Sequence, residues 1–446
     1  MARTLHLTIA QYHLLGDGKI RAEAGFGRSN PYNGFTNSIS TGENHFSQAY
    51  ASVGYERHGL LVRGWWNGHF AETNARVHPP LLPLPRVTDR LGRMDQTHSL
   101  NTYDFETRYR FSALETLNVN IGANYRRIIH SSNFLSTQTT EDRLGLYAQG
   151  DWKVLPSLEI IAGLRYDLDT FIIPTLSPRG AILYHLTPDH AIRFSGSLAY
   201  RPPTTTEVGL SILNPLILPG LPPLTSIVLG SADVKPEQIV SYELGYQGWW
   251  WGHRLRTRVN GFFNHISDLI AFRSPSDNPL GTVRPINGGV ADVYGGEVGA
   301  ELLLTSWLSG FANYAYQEIG QSFTGFSRRG FPQHKINAGL RTKWNSFTGE
   351  ILYHHVGDAS YPLADAFTNL APFFPAGTML PQERVPAYNL LNLRLGYVLW
   401  QQLTTGYVRE AELGISVFNA LHDEHREHPL GDLLGTRVMG WLTVKL

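Results

Sequence analysis

The stretch Leu158-Glu-Ile-Ile-Ala-Gly-Leu-Arg-Tyr-Asp-Leu-Asp169 alternates along its whole length. Leu158, Ile160, Ala162, Leu164, Tyr166 and Leu168 fall on one face. Glu159, Gly163, Arg165, Asp167 and Asp169 fall on the other, and Ile161 is the one apolar intruder. A period of two marks a β-strand with one apolar and one polar face. About ten such residues, tilted, are enough to cross a bilayer, whereas strands of soluble sandwiches run to about five or six. An apolar face backed by a densely charged one describes a wall between lipid and a water-filled lumen.

Neighbouring segments repeat the pattern. Leu144, Leu146, Ala148 and Trp152 oppose Arg143, Gln149, Asp151 and Lys153. Leu117, Val119, Ile121, Ala123 and Tyr125 face away from Asn118, Asn120, Asn124 and Arg126. Tyr103, Phe105, Tyr109 and Phe111 do the same against Asp104, Glu106, Arg108 and Arg110. Connections alternate in length. Tight ones lie at 14–18, 56–59, 113–115, 154–157, 186–190, 251–253, 305–307 and 345–348, and long ones at 29–44, 71–97, 128–140, 202–235, 268–288, 319–332, 358–386 and 422–436. Tight turns at one end and long loops at the other are the habit of bacterial outer-membrane barrels, with periplasm on the short side.

The predicted fold is therefore all-β, a transmembrane antiparallel barrel filling 1–446. The segments number about nineteen, an odd count, where single-chain bacterial barrels carry an even one. Large plugged barrels have about 22 strands, so about three would be missing at the front. The start Met1-Ala-Arg-Thr-Leu-His-Leu-Thr-Ile-Ala10 also lacks a secretory signal. Both absences point to a front end that is not here.

Composition agrees. The 446 residues carry 37 basic and 37 acidic side chains, 44 glycines, 10 Trp, 21 Tyr, 21 Phe and no Cys. Balanced charge argues against a nucleic-acid partner. The absence of cysteine removes disulfides and thiolate metal ligands. The most apolar run, Val208 to Gly230, holds Pro215, Pro219, Pro222 and Pro223, which a spanning helix would hardly tolerate. No serine sits in a nucleophile-elbow setting and no glycine-rich loop opens a helix to cradle phosphate, so neither an enzyme nor a cofactor is expected.

Several pieces, in order, resemble the barrel of the TonB-dependent receptor family. They are Leu176-Ser-Pro-Arg-Gly-Ala-Ile-Leu-Tyr184, Tyr200-Arg-Pro-Pro203 with Glu207, and Val234-Lys-Pro-Glu-Gln238 followed by Ser241-Tyr-Glu-Leu-Gly245. Next come Phe262-Phe-Asn-His-Ile-Ser-Asp-Leu-Ile270, Asn287, Gly296-Glu-Val298, Phe331-Pro-Gln-His-Lys-Ile-Asn337 and Val385-Pro-Ala-Tyr-Asn-Leu390. Val417-Phe-Asn-Ala-Leu421 and Gly435-Thr-Arg437 close the series. The resemblance is good from about 140 to 446. It implies outer-membrane uptake of a large scarce nutrient such as a metal-siderophore or cobalamin, with outer-membrane lipid as surroundings and TonB acting through a plug domain. Nothing in the sequence matches the plug or the TonB-contacting segment. A passive porin-like channel and a non-functional truncated receptor are the alternatives. The final residue, Leu446, stands where the family usually ends in Phe or Trp.

Candidate sites follow from residue type. His422, His425 and His428, with the carboxylates between them, could supply metal ligands, the last two at helical spacing; the plainer reading is a solvated extracellular loop. His354 and His355 point to opposite faces and cannot share a metal. Arg165, Glu243 and Arg256, with Asp167, Arg254 and Arg258, are lumen charges that could meet a solute or a plug, or neutralise one another across strands. Trp249, Trp250 and Trp251 read as anchors at the periplasmic interface. The apolar, proline-rich loops at Pro79–Pro85, Leu213–Leu224 and Ala371–Pro375 are expected to pack on one another as a lid.

Overall fold

The computed structural model describes residues 4–15, 17–29, 31–35, 40–77, 94–216, 224–273, 282–321, 331–361, 384–404, 407–428 and 433–445. One large sheet dominates, and nineteen long strands build its wall. Each pairs antiparallel with the next, from Thr4–Leu15 to Arg437–Lys445. Three shorter strands are attached to it. Tyr32–Phe35 continues Gly18–Ser29 along Ser40–Arg57, and Ser211–Leu216 folds on Leu224–Leu229 as a hairpin within the long connection 202–235. That hairpin, with the short helix Thr205–Gly209, occupies a segment whose sequence reads as loop. Among the described residues no helix is long and apolar enough to cross a membrane, which leaves a strand-built wall untouched.

Register puts the apolar residues on one side. Opposed residues of an antiparallel pair share a face. Phe105 lies opposite Tyr125, Tyr125 opposite Leu144, and Leu144 opposite Leu168. Further round, Ile182 faces Phe194, and Phe194 faces Leu244. At the C-terminal end the row runs Ile351, Leu393, Val417 and Val438. These side chains remain open to the surroundings, as a lipid-facing band does: Leu244 is 58% exposed and Leu164 47%. A soluble sheet would cover them.

The band has limits. Outward positions of Met94–Leu114 are aromatic at Phe111, Tyr109, Phe105 and Tyr103, with Thr107 between them, and then turn polar at Asn101 and Ser99. On the next two strands the change comes beyond Tyr125 and Leu144, at Arg127 and Asp142. Strand residues past these points stand outside the apolar layer, on the long-loop side.

Short turns join the strands at the opposite end. His58 and Gly59 have φ of 44° and 82°, the left-handed pair that a two-residue hairpin turn needs to match strand twist. A Cβ on Gly59 would also run into the Arg110 carbonyl, and the Arg110 amide donates to the Gly59 carbonyl at 2.9 Å. Asn345, with φ 54°, serves the two-residue turn between Trp344 and Phe347. Among the described residues the strands Thr4–Leu15 and Arg437–Lys445 are each paired along one edge.

Candidate functional site

The inner wall is a lattice of charge pairs. Arg165 donates to both oxygens of Asp167 at 2.6–2.9 Å and to Asn124 at 2.7 Å. Arg126 donates to Asp104 at 2.8 Å, Arg63 to Glu106 at 2.5 Å, and Arg341 to Glu350 at 2.6 Å. Glu243 accepts from Arg193, and Glu301 accepts from Arg258 at 2.5 Å. Arg256 reaches Gln247 at 3.1 Å and lies 3.9 Å from Glu301. Arg254 sits apart from these, at the short-turn end, donating to the carbonyls of Leu303 and Leu304. Of the sequence candidates, Arg165 and Asp167 meet directly, Arg256 and Arg258 share Glu301, and Glu243 belongs to a separate pair.

Five inward arginines also lie over an aromatic ring. The pairs are Arg126 on Trp65, Arg165 on Tyr147, Arg256 on Trp249, Arg341 on Phe311 and Arg394 on Trp441, with guanidinium carbons 4.4–5.9 Å from the ring centroids. Stacking holds the long side chains along the wall instead of across the opening. It also revises one expectation. Trp249 opposes Arg256 on the inner face, so it is no interface anchor. Trp250 points outward, edge-on to His190, and Trp251 is exposed in the turn at φ 54°.

At the long-loop end the wall closes around polar groups. His130, 3% exposed, bonds Thr205 at 2.7 Å through Nδ1 and His98 at 2.9 Å through Nε2. Thr205 opens the helix Thr205–Gly209, whose N-cap Thr204 exchanges reciprocal bonds with Glu207. Backbone bonds Ser136 N to Gly209 O and Ser211 N to Phe134 O, 2.9 and 2.8 Å, stitch the connections 132–139 and 201–211 together. Burial and the neighbouring His98 lower the His130 pKa to about 4. Glu141, also buried beside Arg143 and Asp169, is raised by desolvation, only partly offset by that arginine. Arg201 forks between Glu237 at 2.6–2.7 Å and Glu207 at 3.1–3.2 Å. Sequence reading missed His130, Glu141 and Thr205. His130 and Thr205 fall in stretches read as long connections, and nothing local announces a partner 75 residues away.

The histidines of the last loop do not converge. His422 bonds Thr436 at 2.9 Å through Nδ1. His425 is buried, stacks on Tyr388 at 4.1 Å and donates from Nδ1 to the Asp423 carbonyl at 2.7 Å. His428 meets the edge of Tyr361. No helix forms there, so the helical spacing of His425 and His428 is not realised. Among the described residues no three His, Asp or Glu side chains are arranged to hold a metal. His355 bonds Asn389 at 2.9 Å and His354 bonds Asn337 on the other face. The apolar loop residues Pro79–Pro85 and Ala371–Pro375 lie outside the described residues, as do the side chains of Leu213–Leu224.

With this geometry in hand, comparison with known proteins decides the family. Residues 5–420 match the model "TonB dependent receptor-like, beta-barrel". The chain belongs to the TonB-dependent receptor family. Solved structures of similar fold include the siderophore receptor PirA of Pseudomonas aeruginosa, 14% identical, covering 100% of this chain and 71% of that one at TM-score 0.71. A variant of the ferric enterobactin receptor of the same species, in complex with enterobactin, is 14% identical with 98% and 70% coverage at TM-score 0.73. The FrpB iron transporter of Neisseria meningitidis is 12% identical, with 98% and 70% coverage at TM-score 0.70. No curated protein matches in sequence.

Within this TonB-dependent receptor barrel, the residues carrying the sequence resemblance prove to be staples. Arg201 and Glu207 tie strand to helix. Asn287 accepts from Lys235 N at 2.7 Å and donates to the carbonyls of Lys235 and Asp268. Asn419 receives its amide bond from Asp423, and Thr436 donates to its carbonyl at 2.7 Å. They brace loop bases. The family consists of receptors and transporters, and this chain is no enzyme.

Proposed function

We propose that this receptor barrel lies in the bacterial outer membrane and forms the wall of an uptake path for a large, scarce metal-chelate nutrient of the siderophore or cobalamin kind. One observation carries the reading most: a nineteen-strand wall, apolar outside and charge-paired inside, in a chain whose residues 5–420 match the receptor barrel. Charges neutralised on the wall leave a wet, non-sticky path. Specificity resides in the long loops at the mouth. In this reading gating and TonB contact fall to a plug domain, as the sequence resemblance implies.

Single-channel conductance of the refolded chain in a planar bilayer is the test. No stable open conductance from the chain alone, with a gated state when a plug domain is supplied, supports the receptor reading. Large, permanently open steps from the chain alone would replace it with a passive channel.

A further inference from the structure

The last long connection holds one imidazole in place from several sides. His425 exchanges both backbone bonds with Leu434, at 3.2 and 2.8 Å, and its ring stacks on Tyr388 at 4.1 Å. Tyr388 pairs with Val356, and Ala359 pairs with Val385; all four are buried and give the ring a rigid base at the mouth. Nδ1 of His425 donates to the Asp423 carbonyl at 2.7 Å. A carbonyl only accepts, so the neutral ring carries its proton on Nδ1 and presents a bare lone pair at Nε2.

That lone pair faces a second acceptor. Glu427 Oε1 stands 3.8 Å from Nε2, and Nε2 is buried with no hydrogen-bond partner among the described residues. A buried acceptor left this way is costly. Among the described residues neither a lysine nor an arginine pairs with Glu427. Rings lie beside it instead. Tyr361 donates its hydroxyl to the Glu427 carbonyl at 3.1 Å and meets the edge of His428, and the carboxylate acts electrostatically on the Tyr388 hydroxyl. A positively charged N–H donor satisfies such a place, because it bonds both acceptors and is attracted by aromatic faces. A metal ion suits it less, since among the described residues no third His, Asp or Glu side chain joins these two. Glu427 is 58% exposed, so a turn of its side chain admits the donor while His425 stays fixed.

We infer that His425 and Glu427, beside Tyr361 and Tyr388, form a site at the mouth for a primary ammonium group, and that the solute taken up carries such an amine. The statement about the solute rests on the uptake reading proposed above; the binding site itself does not.

Ligand-observed NMR on the folded 446-residue chain in non-ionic detergent tests it, with putrescine, its diacetylated form, tetramethylammonium and Zn²⁺ as probes. Putrescine should bind and its diacetylated form should not. Affinity should fall about tenfold or more in Glu427→Gln, the loss of one charge-assisted hydrogen bond. His425→Phe, which keeps a ring on Tyr388 but has no lone pair, should lose a similar factor. Glu424→Gln, a similarly exposed carboxylate of the same connection, should leave binding unchanged. Equal binding of tetramethylammonium, which has charge but no N–H, would overturn the assignment. So would tighter binding of Zn²⁺ by the same two side chains, an equal loss in Glu424→Gln, or no binding by a folded barrel. Ring nitrogen shifts showing His425 Nε2 protonated before any probe is added would overturn it too, because Glu427 would then be satisfied. Binding is read on isolated protein. Amine binding without uptake of any amine-bearing solute therefore sinks only the receptor reading, and uptake without amine binding sinks only this one.

Discussion

Arg394 and Trp441 meet across an intervening strand. The guanidinium carbon lies 4.4 Å from the indole centroid, although the two residues belong to Tyr388–Thr404 and Arg437–Lys445, with Tyr407–Phe418 between them. The reach is possible because the middle strand presents Gly414, paired with Gly396 on one side and with Trp441 on the other. A Cβ on Gly414 would overlap the indole. The glycine thus lets one ring lie flat and bind the last strand to its second neighbour.

Substituting Gly414→Val should lift Trp441 off the wall and part it from Arg394. The expected loss is about 1–2 kcal/mol, from the cation–π contact and the displaced ring. It should appear as a lower unfolding midpoint in denaturant, with red-shifted Trp emission. Trp441→Phe, which keeps a ring over the glycine, should cost less. Equal stability of the Gly414→Val and wild-type proteins would show that the stack is incidental.

The face assignment makes a sharper demand. Leu244 points outward near the middle of its strand, and Ser241 points inward three residues away. Leu244→Arg places a cation in lipid, at a cost of about 2–4 kcal/mol near the bilayer midplane. Ser241→Arg places one in the lumen and should change folding stability by under about 1 kcal/mol. Folding titrations into vesicles measure both. The reverse order of costs would mean that the two faces have been exchanged, and comparable costs that neither position tells lipid from lumen.

Alternation alone made the wall legible, down to the number of strands, because a period of two fixes the face of every residue. The inward position of Arg165 and Glu243 followed from it. Which carboxylate Arg165 would meet did not, since Asp167, Asp151 and Glu106 are equivalent to a pattern reader. The last loop misled for a related reason. His425 and His428 have a ligand-like spacing only if the chain is helical there, and the backbone bonds between His425 and Leu434 impose an extended course instead. Trp249 misled because a run of three tryptophans cannot all take one face of a strand that ends among them. The helix Thr205–Gly209 was visible in retrospect as Thr204 followed by Glu207 three residues later, a capping box lying inside a segment read for its prolines.

The His130 contact should fade in acid. Its pKa of about 4 in the folded rim, against an ordinary 6.5, means that between these values the opened rim binds a proton and the closed rim does not. Closure therefore weakens as pH falls from about 6.5 to about 4, by about 3 kcal/mol at most. Glu141 acts in the opposite sense, because its raised pKa makes the closed rim the better proton binder. The contrast between wild type and His130→Asn isolates the histidine. Protection factors of residues 204–211, taken relative to the intrinsic exchange rate at each pH, should fall more in acid in the wild type than in the variant. Parallel pH profiles would remove His130 from the account.

Arg201 offers the last prediction, a geometric one. Its guanidinium serves two carboxylates at once, Glu237 on the next barrel strand and Glu207 in the helix at the mouth. Glu207 in turn holds the amide of Thr204 at 2.7 Å, and Glu237 accepts the Ile270 amide at 2.8 Å. A lysine supplies charge but no planar fork, so Arg201→Lys should keep one carboxylate and release the other. The expected local loss is about 1–3 kcal/mol, seen as faster exchange at the Glu207 amide and new proteolytic cutting within 202–211. Thr204→Ala removes only the cap and should cost about 1 kcal/mol. If Arg201→Lys proved no worse than Thr204→Ala, the fork would be dispensable and the capping box would be what holds the helix in the mouth.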